Sequence, residues 1–129
     1  MDRVRQITSR KRGRSIGRVL YELKVFTTGW LGYYSIADMG TKISALNEWI
    51  RRRIRMYLWK QWKKISARFD NLKRLKVPAN KAWEWANTRK GYWRVAHSWI
   101  LTRSLTNEYL ASTGYDDISK RYEVLHSNH

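Results

Sequence analysis

Residues 46–64, LNEWIRRRIRMYLWKQWKK, repeat apolar side chains at helical spacing and set arginine, lysine and tryptophan against them. At 100° per residue, Leu46, Ile50, Ile54, Tyr57, Leu58 and Ile65 fall on one stripe about 120° wide, which suits docking on a core. Arg52, Arg55, Trp59, Trp62 and Lys63 fall on the opposite side. Guanidinium and ammonium groups supply phosphate contacts, and indole faces stack on bases or carry a guanidinium plane. The stretch predicts a helix that docks by one face and holds a polyanion with the other. The competing reading is a solvated amphipathic helix whose tryptophans are buried by neighbouring helices.

Working outward, the same periodicity recurs on both sides. Ser15 is a good helix cap, and Ile16, Val19, Leu20, Leu23, Phe26, Trp30 and Tyr34 follow on one face, predicting a long core helix with a bend at Gly29. Thr41 or Ser44 caps the basic helix, which is expected to run to about Ile65, and a shorter helix follows over 67–76. Val77-Pro78 is the strongest punctuation, because proline lacks a donor and drives its predecessor toward extended geometry. Behind it come a helical patch with Ala82, Trp83, Trp85 and Ala86, and a break at Gly91. A helix capped by Ser98 then runs through Ala111 to Gly114, and a last one spans 118–125. No segment sustains the period of two that strands require. The expected fold is all-α, a compact bundle of about five or six helices with a basic N-terminal arm. Residues 1–14 form the arm or a short helix, and 15–129 form a single helical domain with a sub-boundary near 77–79.

Composition sharpens the expected partner. The chain has 129 residues, 43% of them hydrophobic and 14% aromatic, which argues for a folded core rather than a basic tail. Its formal net charge of +17 is large for that size, and self-repulsion on this scale is usually retained where a polyanion cancels it. Residues 1–100 hold 24 of the 27 Lys and Arg but six of the ten acids, so the last quarter is a poor contact surface. Cysteine is absent, which removes disulfides and thiolate metal sites. The longest mainly apolar run, 25–37, is broken by Gly29 and Gly32 and is shorter than a span of roughly 20 residues. The N-terminus also lacks the apolar core of a signal peptide. A cytoplasmic chain without a membrane partner is expected.

Catalysis finds few groups to work with. The histidines are His97, His126 and His129, and no HxxxH, ExxH or paired-carboxylate spacing links them into a metal site. His97 reads as a boundary histidine near the polyanion-binding surface or the core. Tyr115-Asp116-Asp117 resembles the tyrosine and paired aspartates of RNA-copying polymerase palms, but the intervening residue is missing and Gly114 and a helical pattern flank it. Two-metal phosphoryl transfer also needs a third acid on a hairpin, so a helix-start pair is the better reading. No glycine motif ends in GK[ST]. The chain is expected to hold no catalytic residue, no metal and no cofactor.

Three segments combine charge with aromatic groups or backbone freedom. The first is the arm, Arg10, Lys11, Arg12 and Arg14, together with Arg18. The second is the basic helix with Arg51, Arg52, Arg55, Trp59, Trp62 and Lys63. The third is Arg89, Lys90, Gly91, Tyr92, Trp93 and Arg94, where glycine admits a phosphate to the backbone and the aromatics can stack beneath a base, or else pin a loop by their own burial.

The succession RGRS, GWLGYYSIADM, LNEWIRRRIRMYLWKQWKK, NLKRL and KAWEWANTRKGYWRVAHSWIL…LTNEYL resembles the C-terminal region of bacterial group II intron-encoded reverse transcriptase/maturases over about residues 3–125. The order and spacing of these pieces are specific where each alone is weak. The resemblance implies the thumb and maturase-specific region, domain X, of a longer reverse transcriptase. Such a region is helical, binds intron RNA, promotes the splicing-competent RNA fold and adjoins fingers and palm domains that carry the polymerase aspartates. It further implies that this chain binds without polymerising. The alternative within the resemblance is a structural thumb that holds an RNA–DNA primer-template duplex without sequence preference.

Overall fold

Helix α3 (Gly40–Gln61) takes the place expected for the basic helix. The computed structural model describes residues 2–9, 15–34 and 39–127, except for the side chains of Tyr33 and Tyr34. Arg10, Lys11, Arg12 and Arg14 of the expected contact arm lie outside the described residues. Ile43, Asn47, Ile50, Ile54, Tyr57 and Leu58 of α3 are buried at intervals of three and four, as a docked helix requires. From Arg55 to Trp59 every side chain is buried, so this stretch is enclosed on all sides. The helix stops at Gln61 rather than Ile65. Trp62, with ψ 67°, turns the chain while its N–H still bonds the Leu58 carbonyl, and Ile65 is left on the surface.

Helix α1 (Asp2–Ile7) buries Val4 and Ile7 and packs on α2 (Ile16–Tyr34). Ser15 caps α2 as its position suggests, its Oγ accepting the Arg18 N–H at 3.3 Å. Val19, Leu23, Thr27 and Leu31 form the buried row, one helical turn apart, and the Thr27 hydroxyl is satisfied by donating to the Leu23 carbonyl at 2.8 Å. The helix continues through Gly29 and Gly32.

Helices α4 (Ile65–Arg74) and α5 (Ala79–Ala86) pair as a hairpin. Their turn closes with Lys76 N–H to Lys73 O at 2.9 Å and Val77 N–H to Leu72 O at 3.0 Å, the hydrogen-bond pair of a helix C-terminus with a left-handed residue. That residue is Lys76, with φ +70°.

Three short helices follow, α6 (Tyr92–Ala96), α7 (Trp99–Ser104) and α8 (Asn107–Thr113). The single helix expected through Ala111 is divided at Leu105–Thr106. There the Leu105 carbonyl accepts from Arg55 Nε at 2.7 Å, and Thr106 Oγ1 starts α8 by accepting the Tyr109 N–H at 3.1 Å. Gly114 ends α8 at φ +120°, with Tyr115 N–H returning to Leu110 O at 2.9 Å. Finally α9 (Ile118–Ser127) packs on α2 and α3, and the Tyr122 hydroxyl accepts the Met39 N–H at 2.7 Å. The described residues thus form nine helices and no strand, an all-α bundle with more and shorter elements than periodicity predicts.

Two glycines make opposite predictions. Gly114→Ala forces a side chain into a left-handed backbone and is expected to cost about 1–2 kcal/mol. Gly29→Ala places a Cβ with nothing within 4 Å in a helix interior and is expected to gain up to about 1 kcal/mol. Urea unfolding of the two variants beside the parent chain measures both.

Candidate nucleic-acid interface

The arginines of α3 turn mostly toward the protein. Arg51 pairs with Asp117, which also accepts from Asn47 Nδ2 at 3.0 Å and from the Ser119 N–H at 2.9 Å at the start of α9. Arg52 donates through Nε and an η nitrogen to the Trp93 carbonyl at 3.0 and 2.8 Å, with its guanidinium carbon 3.9 Å from the Trp93 ring centroid. Arg53 reaches α1, donating to Thr8 Oγ1 at 2.9 Å and to the Arg5 carbonyl at 3.2 Å. Arg55 is buried, and besides Leu105 O it donates to Asn107 Oδ1 at 2.9 Å. Burial, followed by the Arg51 charge, lowers the Arg55 guanidinium below its ordinary value, and burial with Arg5 does the same for Arg53.

Trp59 is fully buried. Arg68 lies 4.5 Å from its ring centroid and Trp62 meets it edge-on at 6.0 Å, so the stacking role expected for Trp59 gives way to packing. The Arg55 assignment is corrected for the same reason: its donors are spent on the α7–α8 junction. Both residues lie on the side of α3 opposite the first apolar stripe, where α6 packs on α3, Arg68 of α4 meets Trp59 and the Leu105 carbonyl meets Arg55.

Other expected residues stay accessible. Lys63, Arg89, Lys90 and Arg94 are exposed, and Arg18 is exposed beside Glu22. Tyr92 keeps 36% of its surface, with Lys60 4.7 Å and Arg68 5.6 Å from its ring centroid. Trp62 and Trp93 are partly buried. Trp93 forms one side of a cleft of about 600 Å³ with Arg51, Arg52, Trp49 and His97, and Glu48 and Glu108 also line it. This cleft brings together parts of the basic helix and of the 89–94 segment, which the sequence leaves apart.

Both aspartates of Tyr115-Asp116-Asp117 are engaged at the start of α9. Asp116 pairs with Arg121 at 3.2 Å, and Asp117 is held by Arg51, Asn47 and the α9 amides. Among the described residues no three His, Cys, Asp or Glu side chains gather as a metal site, and no helix is long and apolar enough to cross a membrane.

Sequence reasoning missed Arg53, Arg68, Arg74, Lys76, Lys81 and Arg103 as members of basic surface or basic–aromatic clusters, and the exposed Trp83 and Trp99. The run Lys73, Arg74, Lys76 before the only proline was the available signal for part of this set.

Residues 1–103 match the family described as Group II intron, maturase-specific domain. No curated protein matches the chain. The matched span includes α1 to α6 and most of α7, and Asp117, which holds Arg51, lies beyond it just before α9.

Trp59→Ala is expected to cost about 3–5 kcal/mol by emptying a fully buried indole site. Arg55→Ala should cost about 1.5–3 kcal/mol through the acceptors it leaves unpaired, whereas Lys63→Glu should stay within about 0.5 kcal/mol. Equilibrium denaturation of the three variants checks the order. A separate pH dependence comes from Tyr115, whose phenol donates to Asn47 Oδ1 and whose pKa is raised, chiefly by burial and then by Asp117. The unfolded phenol loses its proton from about pH 10 while the folded one keeps it, so stability should fall as pH rises above about 10. In Tyr115→Phe this part of the alkaline loss should vanish from a series of unfolding curves.

Proposed function

The chain belongs to the group II intron maturase-specific domain family, and on that premise we propose that it binds folded intron RNA and holds it in a splicing-competent form. The observation that carries the reading is the surplus of cations after internal pairing. The described ion pairs are Arg5–Asp2, Arg18–Glu22, Arg51–Asp117, Lys81–Glu84 and Arg121–Asp116. Even one-to-one pairing of all ten acids leaves 17 of the 27 cations over, and exposed examples cluster with aromatic side chains at 89–94. Phosphate backbones neutralise such a surplus, and unpaired bases use the aromatic faces.

The mechanism is differential binding. A protein that holds the compact RNA about tenfold more tightly than its unfolded forms shifts the ratio of the two populations by about tenfold, or 1.4 kcal/mol. Lys63, Arg89, Lys90 and Arg94 supply affinity in this scheme, together with the arm residues Arg10, Lys11, Arg12 and Arg14. Tyr92 and the cleft of Trp93 and Arg52 favour particular RNA shapes. The chain acts as the C-terminal part of a reverse transcriptase whose palm carries the chemistry.

Salt titration tests the phosphate half of the proposal. With about eight contacts, log K should fall with log salt at a slope of about −5 to −7, and a flat response overturns the reading. Competition tests the rest. Folded intron RNA should outlast an equal concentration of RNA–DNA duplex. Equal displacement by the duplex would support a structural thumb that tracks any primer-template.

A further inference from the structure

Where α4 ends, the chain turns through Leu75–Val77 into α5, and this hairpin borders α7 across a second cleft of about 640 Å³. Arg74, Lys76 and Lys81 contribute from the hairpin, Trp99 and Arg103 from α7, and Tyr109 from α8. None of the described residues lining it is acidic. The first cleft differs, because its arginines are spent on internal acceptors and two glutamates line it.

Here the cations are lightly engaged. Arg74 donates to Asn71 Oδ1 at 3.1 Å on an exposed helix turn. Lys81 has Glu84 at 3.2 Å in an exposed pair three residues apart, a kind of contact that contributes little. Lys76 and Arg103 have no ion pair among the described residues, and the Arg103 guanidinium rests 5.8 Å from the Trp99 ring centroid. Four like charges around one cleft repel each other unless an anion enters.

Lys76 adds a second observation. It occupies the left-handed position of the α4 C-terminus, where glycine is the usual occupant. A long cationic side chain is therefore kept at a backbone cost that glycine would avoid. Trp99 retains 48% of its surface, with Trp85 edge-on at 6.3 Å holding its ring. An exposed, buttressed indole beside clustered cations is the pairing that binds single strands, with phosphates on the charges and a base on the ring. A duplex keeps its bases stacked on one another and offers none to the indole.

We infer that the α4–α5/α7 cleft binds an unpaired stretch of RNA, with Arg74, Lys76, Lys81 and Arg103 on consecutive phosphates and Trp99 beneath a base. This rests on the RNA-binding reading above and locates a site within it. The probes are labelled octauridylate, a short RNA duplex and octaglutamate, with intron RNA as the reference ligand. Lys76→Gly should raise the melting temperature while weakening octauridylate about fivefold and reducing the salt slope by about 0.7. Arg74→Glu combined with Arg103→Glu should weaken it at least about tenfold. Trp99→Ala should weaken octauridylate at least about fivefold and leave duplex affinity unchanged.

If Lys76→Gly and Trp99→Ala, each shown folded by its unfolding curve, bind octauridylate as the parent does, the cleft assignment is overturned while intron RNA binding by the parent stands. Displacement of octauridylate by octaglutamate at equal concentration also overturns it, in favour of an acidic protein partner. A parent chain that binds neither octauridylate nor intron RNA removes both readings.

Discussion

Four arginines within five residues of α3 tie that helix to four other parts of the chain, and the bundle depends on this inward use of charge. Arg51 holds the start of α9, Arg52 the Trp93 carbonyl in α6, Arg53 the end of α1, and Arg55 the junction between α7 and α8. Each guanidinium offers several donors in a plane, so one side chain can satisfy acceptors that the ends of short helices leave open. Charge-assisted hydrogen bonds of this kind are stronger than neutral ones, and losing the donor leaves a desolvated acceptor behind. The short helices α6 to α8 also bury Val95, Ile100, Leu101 and Leu110 in the core. Their placement follows from anchoring to α3 as much as from packing.

That inward use of charge moves the available positive surface elsewhere. With Arg55 buried and Arg51 and Arg53 committed, the exposed cations of the latter half concentrate on α4, the α4–α5 turn, the 89–94 segment and α7. Aromatic rings accompany them: Arg68 lies between Trp59 and Tyr92, Lys73 over Phe69, Lys90 over Trp85 and Arg103 over Trp99. Cation–π contacts hold these groups near the surface without cancelling their charge. The same arrangement stabilises the fold and leaves cations that phosphates can meet.

Tyr115, Asp116 and Asp117 illustrate the same economy. Their order suggests polymerase chemistry, yet Asp117 starts α9, holds Arg51 and accepts from Asn47, while the Tyr115 phenol donates to Asn47. Both carboxylate oxygens of Asp117 accept from groups of α3 or α9. The motif joins the start of α9 to α3.

Much of the fold was legible along the chain because helix periodicity, caps and breakers are local. Ser15, Pro78 and Gly114 act where their chemistry says they should, Ile50, Ile54, Tyr57 and Leu58 of the expected stripe are buried, and the ordered motifs identify a maturase-specific region. The same local reasoning joined α7 to α8, since the Arg55–Leu105 hydrogen bond has no signature at short range, and it extended α3 to Ile65, past the turn that the chain makes at Trp62. It also set Arg55 and Trp59 on an outer face, because a single helix has only two faces until its neighbours arrive. Sequence by itself determined the helical class, which follows from periodicity, and the family, which follows from the resemblance carried by its ordered motifs. Only the tertiary structure decided which cations face solvent, because that depends on which backbone carbonyls and rings the packing brings within reach of each guanidinium.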